Sequence, residues 1–135
     1  VIVFDGDIFE EKVQGYDELI ASIEENDIAA VTNPGFELFL ILHVEGSYER
    51  NIKGHETEFL SMNERGRYSY AYNVLLELTG INAKTNSKIG ELADNVFVAI
   101  AQEKMINQDI YQLKGNVSSN VGKIIESIIN EKPDI

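Results

Sequence analysis

The chain has 135 residues, 44% hydrophobic and 25% charged, which suits one globular domain with a single core. Its formal net charge of −12 excludes the coating of nucleic acid by clustered basic residues, because the eleven Lys and Arg residues are scattered. The lack of cysteine excludes disulfides and thiolate metal sites, and no stretch approaches the roughly 20 apolar residues of a membrane span, so we expect a soluble, cytoplasmic protein.

The chain begins inside an apolar run, VIVF, without an initiating Met. We therefore expect residues 1–135 to be a single domain from the C-terminal part of a longer protein, with a strand missing upstream. The all-apolar run 1–4 is typical of a strand covered on both faces in a parallel sheet.

Residues 16–26 carry apolar side chains at helical spacing, and the apolar run 28–32 follows as a second strand. Strand, helix and strand with short links predict a βαβ unit with two parallel strands. The carboxyl ends of both strands should then lie at one edge of the sheet, where open α/β sheets bind ligands.

A sharp turn, Asn33-Pro34-Gly35, leads from the second strand into 36–44, which is apolar except at Glu37 and His43. This pattern predicts a buried helix with Asn33 as its N-cap and Pro34 at its first position. Glu37 then lies one turn inside a helix without a polar face, where a carboxylate needs a cation or several donors.

The rest of the chain is mainly helical in its pattern. We predict a surface loop at 45–55, a short helix at 56–63, a helix at 67–78 that stops at Gly80, a helix at 88–105, and a last helix capped by Ser118 or Ser119. The helix at 88–105 has the clearest apolar period, with Phe97 and Ile100 on its predicted inner face. The fold class is thus α/β, a small parallel sheet followed by a helical half.

Asp5 and Asp7 follow the first strand and can both face one point beyond its end. Gly6 between them leaves space for a ligand. Carboxylate oxygens without His or Cys favour Mg²⁺ or Mn²⁺. The competing interpretation is that Asp7 caps a turn and Asp5 is solvated, since short Asp-x-Asp patterns are common.

Three segments in order, VIVFDGD, NPGFELFLILH and NVSSNVGKII, resemble the RloB family of bacterial and archaeal defence-linked proteins. The second segment carries the longest match, with Gly35 where the family has Cys and Phe39 where it has Trp. The third departs further, with Val117 in place of Pro and Ser119 in place of Thr. Residues 45–84 match in helical character alone.

The resemblance implies a Toprim-like fold and metal-dependent nuclease or phosphoryl-transfer chemistry, with Asp5 and Asp7 as the Asp-x-Asp metal ligands. It also implies a partner ATPase, a nucleic acid substrate reached through the metal, and a place in an anti-phage, abortive-infection or restriction-linked system. Toprim domains need a further glutamate on an earlier strand, which no position here supplies, so we expect this chain alone to be inactive.

Within this hypothesis Glu37 is a third carboxylate of the metal site, or else it holds the turn through backbone N–H groups. Asn33 is expected to donate to a phosphate at the helix N-terminus, beside Gly35. We interpret His43 as a hydrogen-bonded residue of the helix end rather than a ligand or base.

Two alternative functions stay open. VIVFDGD is also similar to the first motif of haloacid-dehalogenase phosphatases, but Ile8-Phe9 stands where those enzymes have Gly-Thr. The other alternative is a non-catalytic Toprim-like scaffold that binds the partner ATPase and senses a phage component.

Overall fold

The computed structural model describes residues 1–5, 15–60, 70–81 and 87–131. The elements in these ranges are β1 (Ile2–Asp5), α1 (Tyr16–Glu24), β2 (Ala29–Asn33), α2 (Phe36–Ile41), a π-helical turn (Tyr48–Ile52), α3 (Glu56–Leu60), α4 (Tyr70–Thr79), a 3₁₀ helix (Ser87–Asn95), α5 (Val96–Glu103), β3 (Ser118–Ser119) and α6 (Val121–Asn130). The predicted α/β class with a mainly helical second half is confirmed. None of the described helices is long and apolar enough to cross a membrane.

Within the described residues, the sheet has three strands in the order β1-β2-β3. β1 and β2 are parallel, with Asp5 opposite Thr32, as the βαβ prediction requires. β3 pairs antiparallel with β2, placing Ser119 opposite Thr32 and Ser118 opposite Asn33. The prediction of a two-stranded parallel sheet was therefore incomplete. A strand of two serines is too short and too polar to give an alternating hydrophobic pattern.

Successive residues of β2 point to opposite sides of the sheet and enter two separate cores. Ala29 and Val31 pack with Tyr16 and Ile20 of α1. Ala30 belongs to the larger core, which is built mainly from the helices that follow the sheet. Its fully buried members include Leu38, Ile41, Leu42, Ile52 and Leu75. All five residues of β2 are buried, so this strand is the centre of the fold.

β1 is an edge strand and is more exposed than its sequence predicted. Val1, Ile2 and Val3 are 58%, 42% and 56% exposed. The prediction of a strand covered on both faces is wrong for the described residues, because the larger core covers β2 but not β1. Phe4 alone packs against the smaller core.

The predicted surface loop at 45–55 is also wrong. It contains the π-helical turn Tyr48–Ile52, and Ile52 is fully buried. The side-chain amide of Gln102 makes this burial possible: Nε2 donates to the Leu42 and Val44 carbonyls at 2.7 and 2.8 Å, and Oε1 accepts from the Tyr48 N–H at 2.9 Å. Buried backbone groups are thus satisfied by a distant side chain.

The predicted helix at 88–105 is divided into a 3₁₀ helix and α5. Its buried face also differs from the prediction. Phe97 is 66% exposed, whereas Ile100 and the polar pair Gln102 and Glu103 are buried. The apolar period identified the helical character of this segment but not the face that the neighbouring elements cover.

Candidate metal site at the carboxyl end of the sheet

Asp5, the last residue of β1, caps the N-terminus of α2. Its Oδ1 accepts a hydrogen bond from the Phe36 backbone N–H at 3.0 Å. Gly35 occupies the N-cap position in an extended conformation, and no side chain of its own segment caps the helix. The parallel pairing of β1 and β2 brings the carboxylate to a helix start that lies 31 residues further along the chain.

The Glu37 carboxylate lies next to the Asp5 carboxylate, with Gly35 between them. A methyl group on Gly35 would lie 3.0 Å from Glu37 Oε2 and 3.6 Å from Asp5 Oδ2. The absence of a side chain at Gly35 therefore leaves a cradle between the two carboxylates. Its backbone is extended, with φ of −163°, so space rather than backbone strain is the reason a glycine suits this position.

Two carboxylates so placed repel each other, and a divalent cation would offset the repulsion. Glu37 is half-buried, and its side chain has no hydrogen bond or ion pair among the described residues. The oxygen donors and the cradle at Gly35 fit Mg²⁺ or Mn²⁺, which bind few protein carboxylates and keep several waters. Among the described residues, Asp5 and Glu37 are therefore carboxylates of this edge that could hold a metal.

The predicted third carboxylate, Asp7, lies outside the described residues, as does Gly6. Within the described part of the chain, no group of three His, Asp or Glu side chains could hold a metal ion. The structure thus brings together two of the three predicted ligands, Asp5 and Glu37.

Asn33 has a different role from the predicted one. It is fully buried, and its Nδ2 donates to the backbone carbonyls of Leu113 and Asn116, both at 3.0 Å. Neither amide hydrogen remains for a phosphate, and Oδ1 has no hydrogen-bond partner among the described residues, so it does not accept from the first turn of α2. The predicted N-cap is therefore corrected: the Asn33-Pro34 peptide bond is cis, and the helix begins at Phe36.

His43 lies just beyond α2 with its ring buried against Phe39. Its Nδ1 is 2.9 Å from the Phe39 carbonyl oxygen, and the two rings meet edge to face at 4.9 Å between centroids. A carbonyl oxygen can only accept, so Nδ1 carries the hydrogen. Burial lowers the pKa of His43, which favours the neutral ring. This geometry agrees with the interpretation of His43 as a hydrogen-bonded residue of the helix end.

Glu103, which the sequence analysis did not single out, is a second capping carboxylate. It is fully buried and accepts hydrogen bonds from the Gly122 and Lys123 N–H groups at 2.6 and 2.9 Å, which caps α6. The Ser119 hydroxyl and the Gln108 amide also donate to it, both at 2.7 Å.

The predicted caps of the last helix, Ser118 and Ser119, instead form β3, and Asn120 takes the N-cap position without a side-chain cap bond. Ser119 contributes a longer bond, because its Oγ accepts from the Val121 N–H at 3.3 Å. The sequence signal for this buried cap was the polar pair Gln102-Glu103 at the end of an otherwise apolar helix.

Asn120 extends the sheet beyond β3 with its side chain. Its Oδ1 accepts from the Val31 N–H at 2.7 Å, and its Nδ2 donates to the Ala29 carbonyl at 2.9 Å. The amide thereby takes the place of a neighbouring strand along the first half of β2. No sequence pattern indicated this role, since a single Asn before a helix is typical of an N-cap.

A separate open groove of about 640 Å³ lies near the start of β2. Its lining includes Ile28, Tyr111, Lys123 and Ile128. The Tyr111 hydroxyl donates to Glu24 Oε1 at 3.1 Å at this groove. The groove adjoins the opposite end of β2 from Asp5 and Glu37, so it is not part of the carboxylate site.

Comparison of this chain with protein-family models, with curated proteins and with solved structures finds no match. The resemblance to the RloB family therefore stays a prediction that rests on the three sequence segments.

Proposed function

We propose that this chain is a Mg²⁺- or Mn²⁺-dependent, Toprim-like nuclease or phosphoryl-transfer subunit of an RloB-type anti-phage system. The observation that supports the proposal is the meeting of Asp5 and Glu37 around Gly35 at the carboxyl end of parallel strands. That edge is the usual ligand-binding edge of an open α/β sheet.

Asp5 and Glu37 would hold the cation, with Asp7 as the third carboxylate. When bound, a divalent cation neutralises charge that develops on a phosphate and activates water. The chain itself orients the site: the Phe36 N–H holds Asp5 Oδ1, which turns Oδ2 toward Gly35. Gly35 leaves the space in which a substrate oxygen can approach both carboxylates.

The net charge of −12 determines how a nucleic acid substrate would reach this site. Phosphates are repelled by the chain unless a cation or a basic partner offsets the charge. The partner ATPase that the RloB resemblance implies would supply such a surface. Nucleic acid binding is therefore expected to require the divalent cation, the partner, or both.

A non-catalytic scaffold is the second candidate. The observation that favours it is the exposed apolar edge strand β1, where Val1, Ile2 and Val3 are each at least 42% exposed. Exposed edge strands are templates for pairing with another chain. The scaffold needs no cation, so metal binding separates the two candidates.

The test is a Mn²⁺ titration of the 135-residue chain. Binding is measured by calorimetry and by the electron paramagnetic resonance signal of free Mn²⁺. We expect one site whose affinity falls more than about tenfold in Asp5→Asn and in Glu37→Gln. Glu49→Gln is the matched control, because this exposed carboxylate pairs with Lys53 at 3.5 Å and should leave the affinity unchanged.

Equal Mn²⁺ uptake by the wild type, both site variants and the control would contradict the site. Absence of a Mn²⁺ site in the wild type would overturn the catalytic proposal and favour the scaffold. A nuclease assay with the ATPase present, on a protein that also carries the earlier glutamate strand of Toprim domains, then tests the activity itself.

A further inference from the structure

The hydroxyl of Thr32, in the centre of the sheet, is buried without a hydrogen-bond partner. Thr32 is fully buried in β2. Its Oγ1 is one of three buried side-chain polar atoms in the described residues that have no hydrogen-bond partner. The other two are the amide oxygens of Asn33 and Asn51. Asn33 still makes two hydrogen bonds through its nitrogen, whereas Oγ1 is the sole polar atom of the Thr32 side chain.

A buried hydroxyl without a partner is costly. Valine has nearly the same shape and a high preference for buried strands, so it would fill the position without this penalty. The hydroxyl therefore calls for a partner that the described residues do not supply.

The strand register shows where that partner would lie. Thr32 is opposite Asp5 on β1 and opposite Ser119 on β3, so the three side chains form a row on one face of the sheet. The hydroxyl of Ser119 already has partners, because it donates to Glu103 and accepts from the Val121 N–H. On the other side of Thr32, about 4.8 Å away at the spacing of neighbouring strands, is Asp5 of the carboxylate pair.

We infer that the Thr32 hydroxyl is a third oxygen group of the Asp5–Glu37 site, turned toward the same divalent cation. The inference rests on the proposed metal site and adds to it a neutral ligand that no acidic motif identifies. Mg²⁺ and Mn²⁺ accept hydroxyl and water oxygens beside carboxylates, and groups that hold their waters tune the affinity.

The test compares Thr32→Val with Thr32→Ser in two measurements. For Thr32→Val we expect Mn²⁺ affinity to fall about tenfold. In the metal-free protein we expect the same variant to raise the midpoint of thermal unfolding by roughly 3–8 °C, because the unsatisfied hydroxyl is removed. Thr32→Ser retains the hydroxyl and should keep the Mn²⁺ affinity within about threefold of the wild type.

The outcomes separate this inference from the proposed function. If the wild type binds Mn²⁺ through Asp5 and Thr32→Val binds it equally well, the Thr32 inference is overturned and the metal site stands. If Thr32→Val lowers the unfolding midpoint or fails to fold, the hydroxyl has a structural role and the inference is overturned. If the wild type binds no Mn²⁺, the proposed site and the role of Thr32 within it are both overturned.

Discussion

Two of the described helices, α2 and α6, are capped by carboxylates from other elements, and the two caps differ in burial. Asp5 caps α2 from an exposed strand end and makes one described hydrogen bond to that helix. Glu103 caps α6 from inside the core, fully buried, with four donors around it.

The difference indicates two functions for the same type of contact. A buried carboxylate is tolerated only when donors surround it, so Glu103 is committed to holding α5, β3 and α6 together. Asp5 Oδ2 lies beside Gly35, at the carboxyl end of β1. The comparison associates the Glu103 cap with stability, whereas the Asp5 cap lies at the proposed ligand-binding edge.

Glu103→Gln should have the largest effect on stability. The amide presents N–H groups where the carboxylate accepted from backbone donors, so we expect a loss of about 2–4 kcal/mol in the free energy of unfolding. Asp5→Asn should cost about 0.5–1 kcal/mol, as for an exposed capping residue. Urea denaturation measures both losses.

Glu126→Gln is the matched control for this pair, because Glu126 forms an exposed ion pair with Lys104 at 3.2 Å. It should change stability by less than about 0.5 kcal/mol. Equal losses for Glu103→Gln and Asp5→Asn would break the comparison.

Replacing the glycine beside each capping carboxylate by alanine should change stability less than replacing Glu103, but the two losses should differ clearly. A methyl group on Gly122 would lie 2.9 Å from the confined Glu103 Oε2, so we expect Gly122→Ala to cost about 1–3 kcal/mol despite the helix preference of alanine. Gly35→Ala meets the end of a flexible side chain, Glu37, and should cost less than about 1 kcal/mol while weakening Mn²⁺ binding.

Gly90→Ala serves as the control, since nothing lies within 4 Å of its added methyl group. Thermal unfolding and Mn²⁺ titration of the three variants test the contrast. A Gly122→Ala protein as stable as the wild type would show that the Glu103 cap is not tightly packed.

Acidification should have the smallest effect on stability. It tests the burial of His43 at the C-terminal end of α2. Burial lowers the pKa of His43 in the folded protein below the unfolded value of about 6.5. The folded state then binds fewer protons, so the contribution of His43 is fully present above pH 6.5 and is lost as the pH falls from there toward the folded pKa.

Urea midpoints measured from pH 8 to pH 5 test this prediction. Replacing His43 by Gln should reduce the loss of stability on acidification, whereas replacing the loop residue His55 should leave the loss as in the wild type. A His43→Gln variant with the wild-type pH dependence would show that the ring is protonated without cost in the fold.

The local elements were largely predictable from residue patterns. The two parallel strands, the helix between them and the helix ended by Gly80 follow from apolar runs, helical spacing and a glycine at φ of +70°. The convergence of Asp5 and Glu37 at one edge also follows, because parallel strands end on the same side. Asp7 lies outside the described residues, so its part in the site stays a prediction.

The errors share one cause, which is that partners distant in sequence decide burial. Gln102 satisfies the backbone around the turn Tyr48–Ile52, so a charged stretch that reads as a loop includes a fully buried residue. The Asn33 side chain donates through Nδ2 to the Leu113 and Asn116 carbonyls, and Gly35 takes the N-cap position of the helix that follows.

The sequence by itself determined the class of the fold, the order of its main elements and the edge at which its acidic residues gather, because these depend on local periodicity and on the handedness of βαβ units. Tertiary structure alone decided which carboxylate is a buried cap, which faces a cradle, and which hydroxyl is left without a partner. Those outcomes depend on strand register and on donors up to 31 residues away along the chain, which no local pattern encodes.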